Sequence, residues 1–281
     1  MERRSFDGRV HVSVLGVGCS RVASINNPVS MREIEATLEA AVEAGINLFD
    51  TADIYGQGDS ERTLSRILRR HRDRMFVVTK IGGRQSRHAG VIRLAKPLLR
   101  ALVRSRPQLR STVVRVRKVP VGQILHPLDL RRAVAGSRRR LGLDRLDGLL
   151  LHSPSLETLR NPEIHDFLGD LLTTGQAAHV GASVGSLPEL VAALSIPMIT
   201  ILQVPLTVAN VLSGTVVLQD IRHRKIGLFV REVLRGPDAE MADTGPLRET
   251  VSSAIAPDFV TAAIVGVSTR RHLNELLAAI S

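Results

Sequence analysis

Hydrophobic and polar positions along this 281-residue chain alternate between short apolar runs and longer amphipathic stretches. A short apolar run is typical of a strand covered on both faces, whereas apolar positions three or four residues apart predict a helix. Eight strand-then-helix units follow one another with no break in composition. The predicted strands cover residues 11–18, 46–49, 75–79, 146–151, 177–182, 198–204, 226–230 and 259–266.

Helices are predicted between these strands. Ser30 and Glu33 form a capping-box pattern that opens a helix through Ala44, and Gly45 ends it. Ser60 is predicted to cap the second helix. The remaining helical stretches are predicted near residues 61–70, 128–142, 164–174, 187–195, the segment ending at 224, 246–255 and 270–280.

This alternation predicts an α/β fold with a parallel sheet. Eight units in roughly 250 residues suit a closed (β/α)8 TIM barrel, so residues 1–281 are predicted to form one barrel domain. An open, doubly wound sheet is the alternative, and it would need a glycine-rich phosphate turn after the first strand. The stretch GVGCSR at 16–21 supplies only G-x-G, which favours the barrel.

The composition of the chain argues against a membrane protein and against a secreted one. No apolar run reaches the roughly 18 residues of a membrane span, so no membrane association is predicted. The N-terminal stretch MERRSFDGRV carries charges but no apolar segment of the kind found in a secretory signal. The single cysteine, Cys19, cannot form an internal disulfide and is expected to be buried. These features predict a cytoplasmic protein.

The formal net charge of +11 is concentrated in one segment. Residues 81–118 contain eleven Lys or Arg and no Asp or Glu, so residues 81–127 are interpreted as a basic insertion after the third strand. The segment could be a solvated loop, a lid over cofactor phosphates, or a surface that attracts an anionic substrate. No aromatic residue is interleaved with the arginines, which disfavours nucleic-acid binding.

Four polar residues follow the predicted strands of the first half. Asp50 ends the second strand, Tyr55 lies in the loop after it, Lys80 ends the third and His152 ends the fourth. In a barrel these positions converge at the C-terminal face. A lysine ammonium held by an aspartate can lower the pKa of a tyrosine, and a histidine can orient a carbonyl, so the set is suited to protonating a carbonyl oxygen.

Each of the four residues also has a structural interpretation. Asp50 could cap a turn, Lys80 could be solvated, His152 could be a core histidine and Tyr55 could pack within its loop. Placement of all four at three neighbouring strand ends favours the catalytic interpretation.

The stretches that carry these residues resemble the aldo-keto reductase family. GINLFDTADIYGQGDSERTLSRIL at 45–68 is similar to the family's signature around its catalytic Asp and Tyr, and VVTK at 77–80 and LLLHSP at 149–154 resemble the segments with its Lys and His. The resemblance implies an NAD(P)H-dependent oxidoreductase on a (β/α)8 barrel. It implies that Tyr55 is the general acid, that Lys80 and Asp50 tune it, and that His152 positions the carbonyl.

The same resemblance implies cofactor contacts. Ser183 matches a family position that binds the nicotinamide carboxamide, as does Gln203, whereas Val184 stands in place of an Asn and Leu206 in place of an aromatic residue. REVLRG at 231–236 resembles the pyrophosphate loop, and IVGVSTRRHLNE at 264–275 resembles the segment that holds the adenosine phosphate. The positions carried over from these two stretches are Leu234, Gly236, Gly266, Ser268, His272 and Glu275.

The sequence thus predicts an oxidoreductase that reduces a small aldehyde or ketone to an alcohol, or runs the reverse reaction. NADP(H) is the preferred cofactor, NAD(H) is the alternative, and no metal is predicted. Two alternatives remain: a cofactor-binding sensor on the same barrel with little turnover, and a partner- or nucleic-acid-binding protein built around residues 81–118.

Overall fold

The structure is a computed structural model, and it describes residues 1–22, 24, 27, 29–83, 126–234 and 247–280. Eight parallel strands close into a barrel in chain order, with the last strand paired to the first. The predicted (β/α)8 barrel is therefore confirmed, and the open sheet is excluded. The barrel strands are β3 (Leu15–Gly18), β4 (Leu48–Asp50), β5 (Phe76–Ile81), β6 (Leu146–His152), β7 (Ala177–Ser183), β8 (Ile201–Pro205), β9 (Gly227–Arg231) and β10 (Ala262–Gly266).

An N-terminal hairpin precedes the barrel and corrects the first predicted strand. Residues 11–18 are not one strand: β2 (Val10–Ser13) pairs antiparallel with β1 (Arg3–Phe6), and the barrel begins only at Leu15. Phe6 and Val12 are buried against the interior residues of the barrel. The hairpin therefore closes the end of the barrel where the strands begin.

Helices pack around the barrel and bury their apolar faces against the outward-facing residues of the strands. Ser30 accepts a hydrogen bond from the backbone N–H of Glu33 at 3.1 Å, as predicted. Ser60 is not a cap: the second helix begins at Asp59 after a left-handed Gly58, and the Ser60 hydroxyl instead bonds inside the fold. The helices are Met31–Glu43, Asp59–His71, Pro127–Leu141, Leu156–Arg160, Pro162–Thr173, Leu187–Leu194, Leu206–Ala209, Val216–His223, Leu247–Ile255 and Arg270–Ala279.

The barrel interior is filled in layers. One apolar layer consists of Leu48, Val78, Leu150, Ile201 and Phe229, all buried in a single cluster. Successive side chains of a strand point to opposite faces, so the residue two positions further along each strand points inward again, closer to the C-terminal end. We call the resulting set of polar residues the mouth layer: Asp50, Lys80, His152, Ser183, Gln203 and Arg231.

The basic segment cannot be compared with its prediction, because residues 84–125 lie outside the described residues. The interpretation of residues 81–127 as an insertion therefore stays a prediction. Within the described part of the chain, none of the helices has the length and apolarity needed to cross a membrane.

Candidate active site

Tyr55 lies in a tight turn directly after β4. A short 3₁₀ turn, Tyr55–Gly58, contains left-handed backbone at three consecutive residues, and Gly58 has φ +82°. A Cβ at Gly58 would lie 2.6 Å from the Arg140 side chain, so a larger residue there would be strained at this φ and would displace Arg140. The glycine-rich turn therefore lets the second helix begin directly after the segment that holds the one tyrosine of the chain.

Lys80 and Asp50 form a buried ion pair below Tyr55. The Lys80 Nζ lies 2.5 Å from Asp50 Oδ1 and also donates to the backbone oxygen of Thr51 at 3.1 Å. Lys80 is 1% exposed and Asp50 is 5% exposed. Burial by itself lowers the pKa of Lys80, but the Asp50 carboxylate and Tyr55 outweigh it, and the net pKa is raised. Lys80 therefore stays charged inside the barrel.

The Tyr55 ring lies close to this ammonium, with Lys80 Nζ 5.4 Å from the ring centroid. Burial is the largest influence on the Tyr55 hydroxyl and raises its pKa, while Lys80 opposes that rise. Lys80 thus acts in the direction expected from the sequence, but the desolvation of the phenolate outweighs the nearby cation, and the net pKa is raised. Tyr55 therefore keeps its proton at neutral pH and is available as a donor.

His152 contacts Tyr55 edge to face, with ring centroids 5.8 Å apart and planes at 87°. Burial, followed by the charges of Lys80 and Arg231, lowers the pKa of His152 to about 3. Its Nδ1 is buried and makes no hydrogen bond to any described residue. His152 is thus a neutral imidazole at the barrel mouth, suited to bonding a neutral carbonyl oxygen.

Ser183 and Gln203 extend the polar network along the next two strands. The Ser183 hydroxyl donates to Gln203 Oε1 at 2.8 Å, and Gln203 Nε2 donates to Asp50 Oδ1 at 2.9 Å. A hydroxyl and a carboxamide at adjacent strand ends match the hydrogen-bonding groups of another carboxamide. Two residues that differ from the family pattern lie near this pair in the chain. Val184 follows Ser183 and is fully buried, and Leu206 follows strand β8 and packs against the core.

The positions expected to hold the adenosine phosphate follow β10. Gly266 ends that strand and is exposed, Ser268 is half-buried, and Thr269 caps the helix by accepting from the backbone N–H of His272 at 3.2 Å. Glu275 lies exposed on the next helical turn. These residues belong to a different loop from the Tyr55 pocket, as a ligand longer than a nicotinamide ring would need.

The loop after β9 is described only in part. Leu234 is half-buried and packs against the core, whereas Gly236 lies outside the described residues. Arg231, the last residue of β9, was not singled out from the sequence as a site residue, yet it belongs to the mouth layer. Counting two residues on from the apolar Phe229 along the strand would have placed it there.

A second buried network, centred on Glu61, was also not predicted from the sequence. Glu61 is fully buried, and its carboxylate accepts from Thr79 Oγ1 at 2.7 Å and from Arg140 Nε at 2.5 Å. It therefore ties the helix after the Tyr55 turn to the strand that carries Lys80. The available signal was that Glu61 shares a helical face with the apolar Leu64.

The sequence of this chain matches a known protein family. The model of the aldo/keto reductase family matches residues 14–237. The D-threo-aldose 1-dehydrogenase of a Pseudomonas species is 34% identical over 161 residues, which are 53% of this chain and 42% of that protein. The pyridoxal 4-dehydrogenase of Microbacterium luteolum is 38% identical over 71 residues, 25% of this chain and 21% of that protein. The matched part of this chain thus spans less than half the length of either relative.

Solved structures share the fold along almost the whole chain. An aldo-keto reductase from Bacillus halodurans aligns with a TM-score of 0.76 at 19% identity, covering 100% of this chain and 91% of that one. A protein from Pseudomonas aeruginosa aligns with a TM-score of 0.73 at 23% identity, covering 99% and 95%. At these identities the likeness shows the barrel fold alone.

Proposed function

The chain belongs to the aldo/keto reductase family, and on that premise we propose that it is a nicotinamide-dependent oxidoreductase acting on a small carbonyl or alcohol substrate. The reaction is reduction of an aldehyde or ketone to an alcohol, or the reverse. The observation that carries the proposal is the convergence of Tyr55, His152 and the Lys80–Asp50 pair at the barrel mouth.

Tyr55 is the proposed proton donor. Its hydroxyl keeps its proton at neutral pH, since the ordinary tyrosine pKa is 10.0 and burial raises it further. As the proton moves to the carbonyl oxygen, negative charge develops on the phenolic oxygen, and the Lys80 ammonium stabilises that charge. Asp50 holds the ammonium in place through the 2.5 Å contact.

His152 is the proposed orienting group. A neutral imidazole can donate a hydrogen bond to the carbonyl oxygen without competing with Tyr55 for its proton, and the pKa of about 3 keeps it neutral. When bound, a reduced nicotinamide supplies the hydride that adds to the carbonyl carbon. Tyr55 supplies the proton, so the product is the alcohol.

The residues of this chain fit a nicotinamide dinucleotide. Ser183 and Gln203 are the proposed partners of the carboxamide, and the segment from Gly266 to Glu275, with Ser268 and His272 at the start of its helix, is the proposed phosphate site. Arg270 and Arg271 at the start of that helix favour the extra phosphate of NADP(H). NADP(H) is therefore the proposed cofactor and NAD(H) the weaker alternative.

A second candidate function is a sensor that binds the cofactor with little turnover. It is favoured by Val184, a fully buried apolar residue beside the proposed carboxamide partners. An apolar side chain there supplies no hydrogen bond to orient the ring for hydride transfer.

Consumption of NADPH over a panel of small aldehydes and ketones tests the proposal, with the Tyr55→Phe variant as its sharpest form. A positioned acid contributes about 10²–10⁴-fold, so the variant should lose at least about a hundredfold in kcat/KM. Its NADPH dissociation constant, measured by fluorescence titration, should stay near that of the wild type. A variant as active as the wild type would remove Tyr55 from the chemistry, and a wild type that binds NADPH but reduces nothing would favour the sensor.

A further inference from the structure

Arg140 lies outside the barrel, on the helix Pro127–Leu141, and contacts the end of the turn that carries the proposed proton donor. A Cβ at Gly58 would lie 2.6 Å from the Cδ and 2.8 Å from the Nε of Arg140, so the side chain packs directly against the last residue of the Tyr55–Gly58 turn. Only 14% of the Arg140 side chain is exposed. The mechanism proposed above gives this buried cation no task.

The same guanidinium is connected to the strand that carries Lys80 through one buried carboxylate. Arg140 Nε donates to Glu61 Oε2 at 2.5 Å, and Glu61 Oε1 accepts from Thr79 Oγ1 at 2.7 Å. Thr79 precedes Lys80 in β5, so its side chain points to the outside of the barrel while that of Lys80 points inside. One chain of contacts therefore runs from the Tyr55 turn to the strand residue next to Lys80.

The backbone of the loop before the turn is paired with β5 as far as Asp53. The N–H of Asp53 donates to the backbone oxygen of Lys80 at 3.0 Å, whereas the N–H of Tyr55 donates to the backbone oxygen of Ala52 within its own loop. The place of the Tyr55 ring relative to β5 therefore depends also on side-chain contacts, and Arg140 supplies one of them.

A second glycine leaves room for the guanidinium on its own helix. Gly136 lies one helical turn before Arg140, and a Cβ there would lie 2.9 Å from Arg140 Nη1. The guanidinium cannot move aside freely, because its Nε bonds to Glu61 and its Nη2 donates to the buried Ser137 hydroxyl at 3.1 Å. An added methyl group at Gly136 would therefore disturb the same contacts that connect the turn to β5.

We propose that Arg140 is a positioning residue for Tyr55: it holds the Tyr55–Gly58 turn at a fixed distance from the strand that carries Lys80. Lys80 Nζ lies 5.4 Å from the centroid of the Tyr55 ring. A displacement of about 1 Å caused far from the chemistry can cost about 10²-fold in rate, so this distance matters for proton transfer. The inference rests on the proposed function for the reaction itself, but the hold on the turn can be measured without it.

Gly136→Ala tests the position of Arg140 without removing its charge. Alanine is the better helix former, which offsets part of the cost of displacing the guanidinium, so the variant should stay folded. Its kcat for the best carbonyl substrate of the panel should fall at least about tenfold, while its NADPH dissociation constant stays near that of the wild type. Gly169→Ala is the matched control and should keep the wild-type kcat, because Gly169 is also inside a helix and its Cβ would meet Met198 Cε at an ordinary contact distance of 3.6 Å.

The fluorescence of Tyr55 reports the turn directly, because Tyr55 is the one tyrosine of the chain and the chain has no tryptophan. Acrylamide should quench this fluorescence more strongly in Gly136→Ala than in the wild type or in Gly169→Ala, since a turn released from Arg140 exposes the ring. The measurement uses the protein without cofactor or substrate, so it does not depend on turnover.

The double variant Glu61→Gln/Arg140→Met removes the hold itself. It takes away both charges of the buried pair, so no unpaired ion remains to unfold the chain. It should show a loss of kcat and an increase in quenching like those of Gly136→Ala. Adding Gly136→Ala to it should change neither quantity further, because the guanidinium that the methyl group displaces is absent.

In an active enzyme, kcat and quenching must change together. If Gly136→Ala changes neither or only one of them, or if it causes the same loss again in the double variant, Arg140 does not position Tyr55 and the inference is overturned. Failure of the proposed function gives a different pattern, because the wild type then reduces no substrate of the panel. The quenching series still decides the inference in that case: stronger quenching in Gly136→Ala than in Gly169→Ala supports the hold on the turn, and equal quenching overturns it.

Discussion

Removing Lys80 tests the electrostatic basis of the site most directly. Lys80→Met keeps the length of the side chain but leaves the Asp50 carboxylate 5% exposed, with the Gln203 amide as a remaining donor and no cation. Breaking a buried ion pair by removing one partner costs about 3–5 kcal/mol, because the other charge stays desolvated. At about 2 °C per kcal/mol for a chain of this size, Tm should fall by roughly 6–10 °C.

The double variant Asp50→Asn/Lys80→Met separates charge from packing. It removes both charges while keeping an amide oxygen that can accept from Gln203, so no unpaired ion remains. Replacing a whole buried pair by neutral groups is often neutral in stability. We therefore expect the double variant to recover most of the stability that Lys80→Met loses. Both variants should lose carbonyl reduction, because the proposed phenolate has no cation in either.

Unfolding in urea, followed by circular dichroism, measures these differences, with Arg132→Met as the matched control. Arg132 forms an exposed pair with Asp129, and exposed pairs contribute about 0.2–1 kcal/mol at most. If Lys80→Met costs no more than the control, or if the double variant is no more stable than Lys80→Met, the reasoning from a desolvated charge is refuted.

Three further predictions concern the cofactor, pH and the Glu61 network. NADPH should bind at least about tenfold tighter than NADH, since a charge-assisted phosphate contact is worth about 1.5–3 kcal/mol; equal dissociation constants by fluorescence titration would contradict a phosphate site near His272. The folded pKa of His152, about 3, lies below its ordinary value of 6.5, so the unfolded chain binds the extra proton between those values and stability falls as pH falls. Between those pH values the wild type should lose up to about 1.4 kcal/mol of unfolding free energy per pH unit relative to His152→Asn, and parallel stability curves would exclude the lowered pKa of His152. Burial raises the pKa of Asp53 to about 7, so Asp53 changes stability in the opposite direction, but its contribution is the same in both proteins and cancels. Glu61→Gln should destabilise the chain by about 3 kcal/mol in urea unfolding because Arg140 loses its buried partner, and a change below about 1 kcal/mol would argue that water replaces the carboxylate.

The fold was predictable from the sequence because its strands are apolar runs of the right length in a regular order. Some strand boundaries were predicted wrongly where an apolar run continues past the strand that contains it. The predicted strand at 198–204 begins only at Ile201, because Ile199 donates a backbone hydrogen bond to Ile196 in a preceding turn. Both isoleucines are buried, so hydrophobicity alone does not distinguish the turn from the strand.

The candidate site was predictable where a polar residue ends an apolar run, as at Asp50, Lys80 and His152. Arg231 also ends such a run, and its place in the mouth layer follows by counting two residues on from Phe229, once Phe229 is known to point into the barrel. The raised pKa of Tyr55 was not predictable for a different reason. It depends on the balance between desolvation and a nearby charge, and burial is a property of the fold rather than of the local sequence.

The hydrogen bonds of the mouth layer connect the two halves of the proposed reaction. Asp50 Oδ1 accepts from both Lys80 and Gln203, and Gln203 in turn accepts from Ser183. A carboxamide that bonds to Ser183 or Gln203 must compete with this chain, and any shift of Gln203 changes the field at the oxygen that holds the Lys80 ammonium. Because that ammonium stabilises the developing charge on Tyr55, seating of the cofactor and the acidity of the proton donor are expected to change together.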